Sequence, residues 1–105
     1  MSAQPPVVSI MMLTYNRPHY LRGALESVLR QTHPHLEILV CDNASRPETA
    51  AVVRSFHDPR IRYHRHPKNI GATNNAWYAC GVATGKYLAN LNDDDAWEPT
   101  YLEKA

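Results

Sequence analysis

Two continuous apolar runs dominate the first half of the chain. They cover residues 7–14 (VVSIMMLT) and 36–42 (LEILVCD). Runs of strand length without a regular polar alternation favour parallel strands that are buried on both faces. Two further strands are predicted at residues 60–66 and 86–92, and the charges in the first of these place it at an edge of the sheet.

Helical patterns separate these four segments. Pro18 suits the first turn of a helix, leucine and valine recur after it at helical spacing, and Pro34 ends the pattern. A second helix is predicted with Ser45 as its N-cap. Its expected buried side consists of Ala51, Val52 and Phe56. A third helix is predicted at residues 76–84, with Gly85 just past its end.

The elements therefore alternate regularly between strand and helix. This alternation predicts an α/β fold with a four-stranded, mainly parallel sheet, flanked by helices and joined by right-handed crossovers. Residues 1–6 are expected to form an extended lead-in, and residues 97–105 to open a further helix at Pro99. We expect residues 1–105 to be one domain that is truncated at its carboxyl end.

Composition narrows the classes of function only modestly. The 105 residues carry a net charge of +1, so no nucleic-acid partner is expected. The start of the chain lacks the features of a signal peptide, and no apolar run is long enough to span a bilayer. We expect a cytoplasmic location and interpret Cys41 and Cys80 as reduced, buried thiols.

Polar side chains collect where three of the predicted strands end. They are Thr14, Tyr15, Asn16 and Arg17 after the first strand, Asp42 and Asn43 after the second, and Asn92, Asp93, Asp94 and Asp95 after the fourth. The carboxyl ends of parallel strands meet at one edge of a sheet, where ligands of such folds bind. Helix N-termini at the same edge favour phosphate groups. The sequence thus predicts one shared site for an anionic ligand.

The acidic run at residues 93–95 needs a positive partner, because adjacent carboxylates repel one another. Clustered carboxylates suit Mg²⁺ or Mn²⁺, and these ions commonly retain substrate phosphates as further ligands. The predicted partner is a divalent cation that bridges the protein to a diphosphate. The alternative is a solvated acidic turn in which Asp95 caps the following helix.

Residues 8–45 and 68–99 resemble the opening segments of family 2 glycosyltransferases, which have the Rossmann-like GT-A fold. The matching features are TYNR after the first strand, CDNAS after the second and NDDD after the fourth, in the order of the family. The resemblance implies a nucleoside-diphosphate sugar donor, typically a UDP-sugar, inverting transfer, a Mn²⁺ or Mg²⁺ cofactor and a role in cell envelope polysaccharide biosynthesis. It also implies a parent enzyme peripheral to the inner membrane face. The acceptor, whether glycan, lipid or protein, is left unspecified.

The resemblance also implies roles for individual residues. Nucleotide-sugar contacts are implied for Thr14, Tyr15, Asn16, Arg17, Asp42, Asn69, Gly71, Asn75 and Asp93. Among these, Asp42 would accept a hydrogen bond from the ring N–H of the base. Metal contacts are implied for Asp94 first, then Asp93 and Asp95. The catalytic base of relatives lies downstream of the acidic motif, so it is expected beyond Ala105 and no catalytic residue is assigned within the chain.

Several positions depart from the family pattern. Asn92 stands where an aspartate is commonest, which removes one strong metal ligand. Asn43 stands where many relatives carry an acid, which loosens the expected selectivity for the base. Ala76 and Trp77 stand where many relatives carry an Arg-Asn pair, so a donor contact from the third helix is not expected there.

Two other functions stay open at this point. A nucleotidyltransferase also places acidic metal ligands on such a sheet, although TYNRP lacks the glycine-rich loop that it would use. A nucleotide-binding scaffold without turnover is the second, and truncation is expected to expose apolar surface that favours self-association. His64 and His66 are interpreted as a solvated strand edge, and Trp77 and Tyr78 as core or subunit-contact residues.

Overall fold

The computed structural model describes residues 7–33, 35–94, 96–99 and 102. The predicted lead-in at residues 1–6 and most of the predicted last helix lie outside these ranges. The elements are β1 (Val8–Thr14), α1 (Pro18–Leu29), β2 (Leu36–Asp42), α2 (Pro47–Arg54), β3 (Ile61–Arg65), α3 (Ala72–Val82) and β4 (Tyr87–Asn90). The predicted alternation of strands and helices is confirmed.

The four strands form one parallel sheet in the order β3-β2-β1-β4. Strand β3 lies at an edge, as its charges predict. The register pairs Val8 with Leu36 and Thr14 with Asp42, so β1 and β2 end side by side. The segments that follow the strands therefore share one edge of the sheet, which is the placement expected for a ligand site.

Both faces of the two central strands are buried, which explains their continuous apolar sequence. On one face, Ile10 and Val40 belong to a large core cluster with Leu25 and Val28 of α1. On the other face, neighbouring residues of the same strands pack with Ala79 of α3. This second cluster contains Leu39 and Cys41, with Met11, Leu13, Tyr78, Val82 and Ala83 packed against it. Successive strand residues point to opposite faces, so each strand serves both clusters.

Helix α2 differs from its predicted form. Its N-cap is Arg46 and not Ser45, and the Ser45 hydroxyl instead accepts a hydrogen bond from the backbone N–H of Asn16 at 2.7 Å. The buried residues of α2 are Thr49, Ala50 and Val53, whereas Ala51 is exposed and Val52 and Phe56 are half-buried. The predicted buried side was therefore wrong for Ala51, whereas Phe56 packs against the core and the fully buried positions are neighbours of the predicted residues. Because the helix starts at Pro47, positions 49, 50 and 53 form the stripe that meets the core.

Helix α3 starts four residues before its predicted beginning, and Gly85 does not cap it. The helix ends with Ala83 as C-cap in an extended conformation. Gly85 lies two residues further on, in close contact with the start of β1, and its backbone N–H donates to Ser9 Oγ at 2.8 Å. The glycine is thus required by close packing and not by a left-handed cap.

A carboxylate at the opposite end of the sheet ties three elements together. Glu37 of β2 accepts hydrogen bonds from Ser9 Oγ at 2.9 Å, from Arg62 at 3.0 Å, and from both the N–H and the hydroxyl of Thr84. Burial by itself raises the pKa of Glu37, but the bonds from Thr84, Ser9 and Arg62 outweigh it and hold this pKa below its ordinary value of 4.5. The charged form of Glu37 therefore stabilises the fold.

Glu37→Gln is expected to lower the free energy of unfolding at pH 7 by about 1–3 kcal/mol, because donors to a buried carboxylate lose a charged acceptor. When the pKa of a carboxyl group is lower in the folded state than in the unfolded state, its charged form stabilises the fold at pH values above the unfolded-state pKa. This stabilisation is lost as the pH falls through the folded-state pKa. The difference between variant and parent should therefore shrink below pH 4.5. Urea unfolding across this pH range measures this difference in the free energy of unfolding.

Glu26→Gln, which removes an exposed carboxylate in α1, is the control and should change stability by less than about 0.5 kcal/mol. A pH-independent difference would contradict the prediction.

Crossing a bilayer requires a long, apolar helix, and the described ranges contain none that combines this length and apolar content.

Candidate functional site

A cavity of about 430 Å³ opens at the carboxyl ends of β1, β2 and β4. Its lining residues are Leu13, Thr14, Tyr15, Arg17, Asn43, Ala72, Asn75, Asn92, Asp93 and Asp94. They come from the segments after three strands and from the first turns of α3. The parallel topology therefore collects residues that are up to 81 positions apart in sequence, counted from Leu13 to Asp94, around one space.

One end of the cavity is charged. Thr14 Oγ1 donates to Asp93 Oδ2 at 2.9 Å, which fixes the buried Asp93 beside the end of β1. Arg17 places its Nη1 atom 3.6 Å from Asp93 Oδ1 and 3.3 Å from Asp94 Oδ2. Burial raises the pKa of Asp93, and the bond from Thr14 and the charge of Arg17 oppose that rise. The structure thus brings a cation to the acidic run, and this cation is Arg17.

The acidic pair fits a divalent cation. One oxygen of each carboxylate already lies within 4 Å of a single cationic nitrogen, so the two side chains converge on one point. Two carboxylates, with phosphate and water as the remaining ligands, are a donor set that Mg²⁺ and Mn²⁺ accept. Among the described residues, no group of three or more His, Cys, Asp or Glu side chains has metal-site geometry. Asp95, the third predicted metal ligand, lies outside the described residues.

The remaining lining includes uncharged side chains. Tyr15 is half exposed. Asn43 Oδ1 accepts a hydrogen bond from the backbone N–H of Ile70 at 2.9 Å, which orients the amide. These two residues offer an aromatic ring and an amide group to a ligand.

Asn75 forms a fixed part of the cavity wall. Its Nδ2 donates to the backbone carbonyl of Cys41 at 2.9 Å, and its Oδ1 lies 2.8 Å from Nε2 of His66. Because the Asn75 oxygen can only accept, His66 carries its proton on Nε2. Asn75 is 1% exposed, so its main role in the geometry is to tie α3 to the ends of β2 and β3.

Four predicted nucleotide contacts support turns and do not line the cavity. Asp42 is fully buried and accepts hydrogen bonds from Tyr63 Oη and from the Ser45 N–H. Burial and the bond to Asp42 raise the pKa of Tyr63. Both oxygens of Asp42 are thus engaged within the fold, and Asp42 is not among the residues that line the cavity.

The other three also hold backbone geometry. Asn16 has a φ of 51° and its Oδ1 accepts from the Arg46 N–H at 2.8 Å. Asn69 accepts from the N–H of Gly71 at 2.8 Å, and Gly71, with a φ of 84°, is the N-cap of α3. A left-handed φ at Gly71 is the conformation in which glycine is unstrained.

Four cavity residues were not assigned a ligand contact from the sequence. They are Leu13, Asn43, Ala72 and Asn92. Asn43 and Asn92 belong to the polar clusters that were predicted to share the site, so their position after the strands was the signal for both. Ala72 carries no chemical signal, because only the early start of α3 brings it to the cavity.

The structure changes several interpretations of side chains. His66 is buried, and His64 stacks on Tyr78 with ring centroids 4.5 Å apart, so the pair does not form a solvated edge. Tyr78 packs against the core as predicted. Trp77 is 73% exposed and does not fill the core, so of its two predicted roles a subunit contact stays a prediction. Cys41 is buried as predicted, but Cys80 is exposed. The histidines lie on the α3 face of the sheet, where that helix covers them.

Comparison with known proteins agrees with the fold. Residues 9–105 match the family described as Glycosyl transferase family 2, and the chain belongs to this family. Protein CgeD of Bacillus subtilis is 39% identical over 92% of the chain and 25% of its own length. The UDP-Glc:alpha-D-GlcNAc-diphosphoundecaprenol beta-1,3-glucosyltransferase WfgD of Escherichia coli is 37% identical over 92% of the chain and 38% of its own length. The chain thus spans between a quarter and two fifths of these relatives.

Solved structures confirm the GT-A fold. TarS 1-349 of S. aureus in complex with UDP-GlcNAc superposes with a TM-score of 0.87 at 23% identity, over 92% of this chain and 29% of that one. The mannosyltransferase PcManGT of Pyrobaculum calidifontis, in complex with GDP-Man and Mn²⁺, gives a TM-score of 0.81 at 25% identity, over 90% of this chain and 29% of that one. The predicted Rossmann-like α/β class is therefore confirmed.

Proposed function

We propose that this chain is the donor-binding portion of a glycosyltransferase, and that it binds a UDP-sugar together with Mn²⁺ or Mg²⁺. The observation that carries the proposal is the convergence of Asp93 and Asp94 on one cationic nitrogen at the mouth of the cavity. A divalent cation bound with a diphosphate needs such an acidic pair, with phosphate oxygens and water as its remaining ligands. The same cavity is also lined by uncharged side chains, among them Tyr15 and Asn43.

The lining residues are proposed to orient the ligand. The diphosphate and the metal would contact Arg17, Asp93 and Asp94, which lie close together. The base would contact Tyr15 and Asn43, where the aromatic ring offers a stacking surface. Of the predicted donor contacts, Thr14 acts by positioning Asp93, and Asn16, Asp42, Asn69 and Gly71 act by shaping the turns around the cavity.

The base contact is proposed to involve Asn43 rather than Asp42. The oxygen of Asn43 accepts a hydrogen bond from the N–H of Ile70, which orients the amide beside the cavity. Its Nδ2 group can donate to a ligand, and uracil presents carbonyl oxygens that accept such donors. The base would then be recognised through a carbonyl oxygen.

The divalent cation, when bound, neutralises the charge that develops on the departing diphosphate. Asp94, half exposed at the cavity mouth, and Asp93 are proposed to hold it, with Asp95 as a further candidate. The family resemblance implies an inverting transfer. Because the chain spans 25% of CgeD and 38% of WfgD, it is proposed to supply the donor-binding part of the parent enzyme.

The parent enzyme is proposed to act in cell envelope polysaccharide synthesis, at the cytoplasmic face of the membrane. The name of WfgD, which includes a diphosphoundecaprenol acceptor, supports this placement, because that acceptor is a lipid. The acceptor of the present protein stays unassigned. Exposed Tyr87 and Leu88 on the edge strand β4 are consistent with the predicted self-association, which stays a prediction.

Calorimetric titration tests the proposed function. UDP in the presence of Mn²⁺ is expected to bind to the chain with a stoichiometry near one. Chelation of the metal should weaken that binding at least about tenfold, and the same titration with GDP measures the selectivity for the base. UDP binding that is indifferent to the metal would favour a nucleotide-binding scaffold, and no binding of any nucleotide would overturn the proposal.

A further inference from the structure

We infer that Arg17 couples the binding of the metal to the binding of the diphosphate, because its guanidinium holds the acidic pair in the free protein and must leave it when the metal enters. The inference rests on the proposed function and adds a role for one residue. In the free protein, Nη1 of Arg17 lies between Asp93 and Asp94, at 3.6 and 3.3 Å. These two carboxylates are the proposed metal ligands.

The side chain of Arg17 is free to move, while its backbone is held. The side chain is 52% exposed, and both contacts with the aspartates are longer than a strong charge-assisted hydrogen bond. On the backbone side, the preceding Asn16 is bonded to the α2 turn through its N–H and its Oδ1. The following Pro18 is the first residue of α1. A long, exposed side chain on a fixed backbone can exchange partners by rotation alone.

The metal and the guanidinium compete for the same position. A divalent cation between the two carboxylates would lie within a few ångströms of Nη1, where two like charges repel strongly. The metal alone must therefore displace Arg17 into water. When a diphosphate is also bound, the displaced guanidinium gains an anionic partner at the same end of the cavity, which matches the planar, multiple donors of arginine. Metal binding should then be easier with the diphosphate than without it.

This competition makes coupling a measurable property of Arg17. The coupling factor is the Mn²⁺ dissociation constant without UDP divided by the Mn²⁺ dissociation constant with UDP. Thermodynamic linkage requires Mn²⁺ to change the dissociation constant of UDP by the same factor. A bridging metal gives some coupling by itself. Arg17 increases this coupling. Displacing Arg17 weakens the binding of the metal alone, whereas the new contact of Arg17 with the diphosphate strengthens the binding of metal and UDP together.

The test compares the coupling factor in the parent chain with that in Arg17→Gln. Free Mn²⁺ is measured by electron paramagnetic resonance during titration, with and without saturating UDP, so the readout does not depend on transfer activity. In the variant, Mn²⁺ alone should bind about 3–10-fold more tightly, and the coupling factor should fall about 5-fold or more. Arg17→Lys keeps the charge but not the planar donors, and should show an intermediate factor.

Arg22→Gln is the matched control. Arg22 is an exposed residue of the same helix that lies over the ring of Phe56, so this variant removes the same charge away from the acidic pair. Its coupling factor should equal that of the parent chain. An unchanged coupling factor in Arg17→Gln would overturn the inference while leaving the proposed function intact. If the parent chain shows no metal-dependent binding of UDP, the proposed function itself fails.

Discussion

Asp94→Asn is expected to weaken the binding of Mn²⁺ in the presence of UDP by about 100-fold or more. The substitution keeps the shape of the side chain and removes the charge that a hard divalent cation requires. Loss of groups that only orient a metal ligand already costs 10–100-fold in affinity, and loss of a ligand should cost at least the upper end of that range. Titration of Mn²⁺ at saturating UDP, followed by calorimetry or by the resonance of free Mn²⁺, measures the effect.

The fold should not change in this variant, because Asp94 is half exposed and its partner Arg17 is exposed as well. Glu48→Gln, which removes an exposed carboxylate from the first turn of α2, is the control and should bind Mn²⁺ and UDP like the parent chain. Should Asp94→Asn bind both ligands unchanged, Asp94 would be part of a solvated turn and not a metal ligand. The metal site would then have to be sought elsewhere.

The architecture of this chain was predictable because its local patterns and its tertiary structure agree. Strand β2 begins and ends where the apolar run predicts, and α1 begins at the proline that marks its first turn. The start of α3 was not predictable in this way. Residues 72–75 include two asparagines, which are weak helix formers. Tertiary bonds override that preference, since Asn75 is held by both His66 and the Cys41 carbonyl.

The position of the site was also predictable, whereas its detailed lining was not. Topology alone brings the ends of β1, β2 and β4 together, so the acidic run and TYNR meet. Which residue at the end of β2 faces the cavity depends on the two-residue period of the strand. Leu39 and Cys41 face α3, so Asn43 does as well, and Asp42 faces Tyr63 on the other side. The role of Arg17 as partner of the acids required coordinates, because its side chain can reach several places.

The period of β3 explains the buried histidine in the same way. His64 pairs with Cys41, so it lies on the α3 face, and His66, two residues on, does too. The high charge of the segment suggested exposure, but α3 covers this face and supplies Tyr78 and Asn75 as partners. Charge content predicts the edge position of a strand and does not predict which of its faces is covered.

Gly85→Ala is expected to lower the free energy of unfolding by about 3 kcal/mol or more, the largest stability effect predicted for this chain. A Cβ atom at this position would lie 2.5 Å from Ser9 Oγ, 2.7 Å from the carbonyl oxygen of Val7 and 2.8 Å from the backbone nitrogen of Ser9. The Ser9 hydroxyl can rotate away from the added Cβ atom. The two backbone atoms lie at the start of β1 and cannot move away from it. Adding Ser9→Ala should therefore fail to restore stability.

Gly23→Ala in α1, where a Cβ meets nothing within 4 Å, is the control and should raise stability by about 0.5–1 kcal/mol, because alanine favours a helix interior. Urea unfolding followed by circular dichroism measures both, and a Gly85→Ala chain within about 1 kcal/mol of the parent would show that β1 and the loop before β4 pack less closely than described.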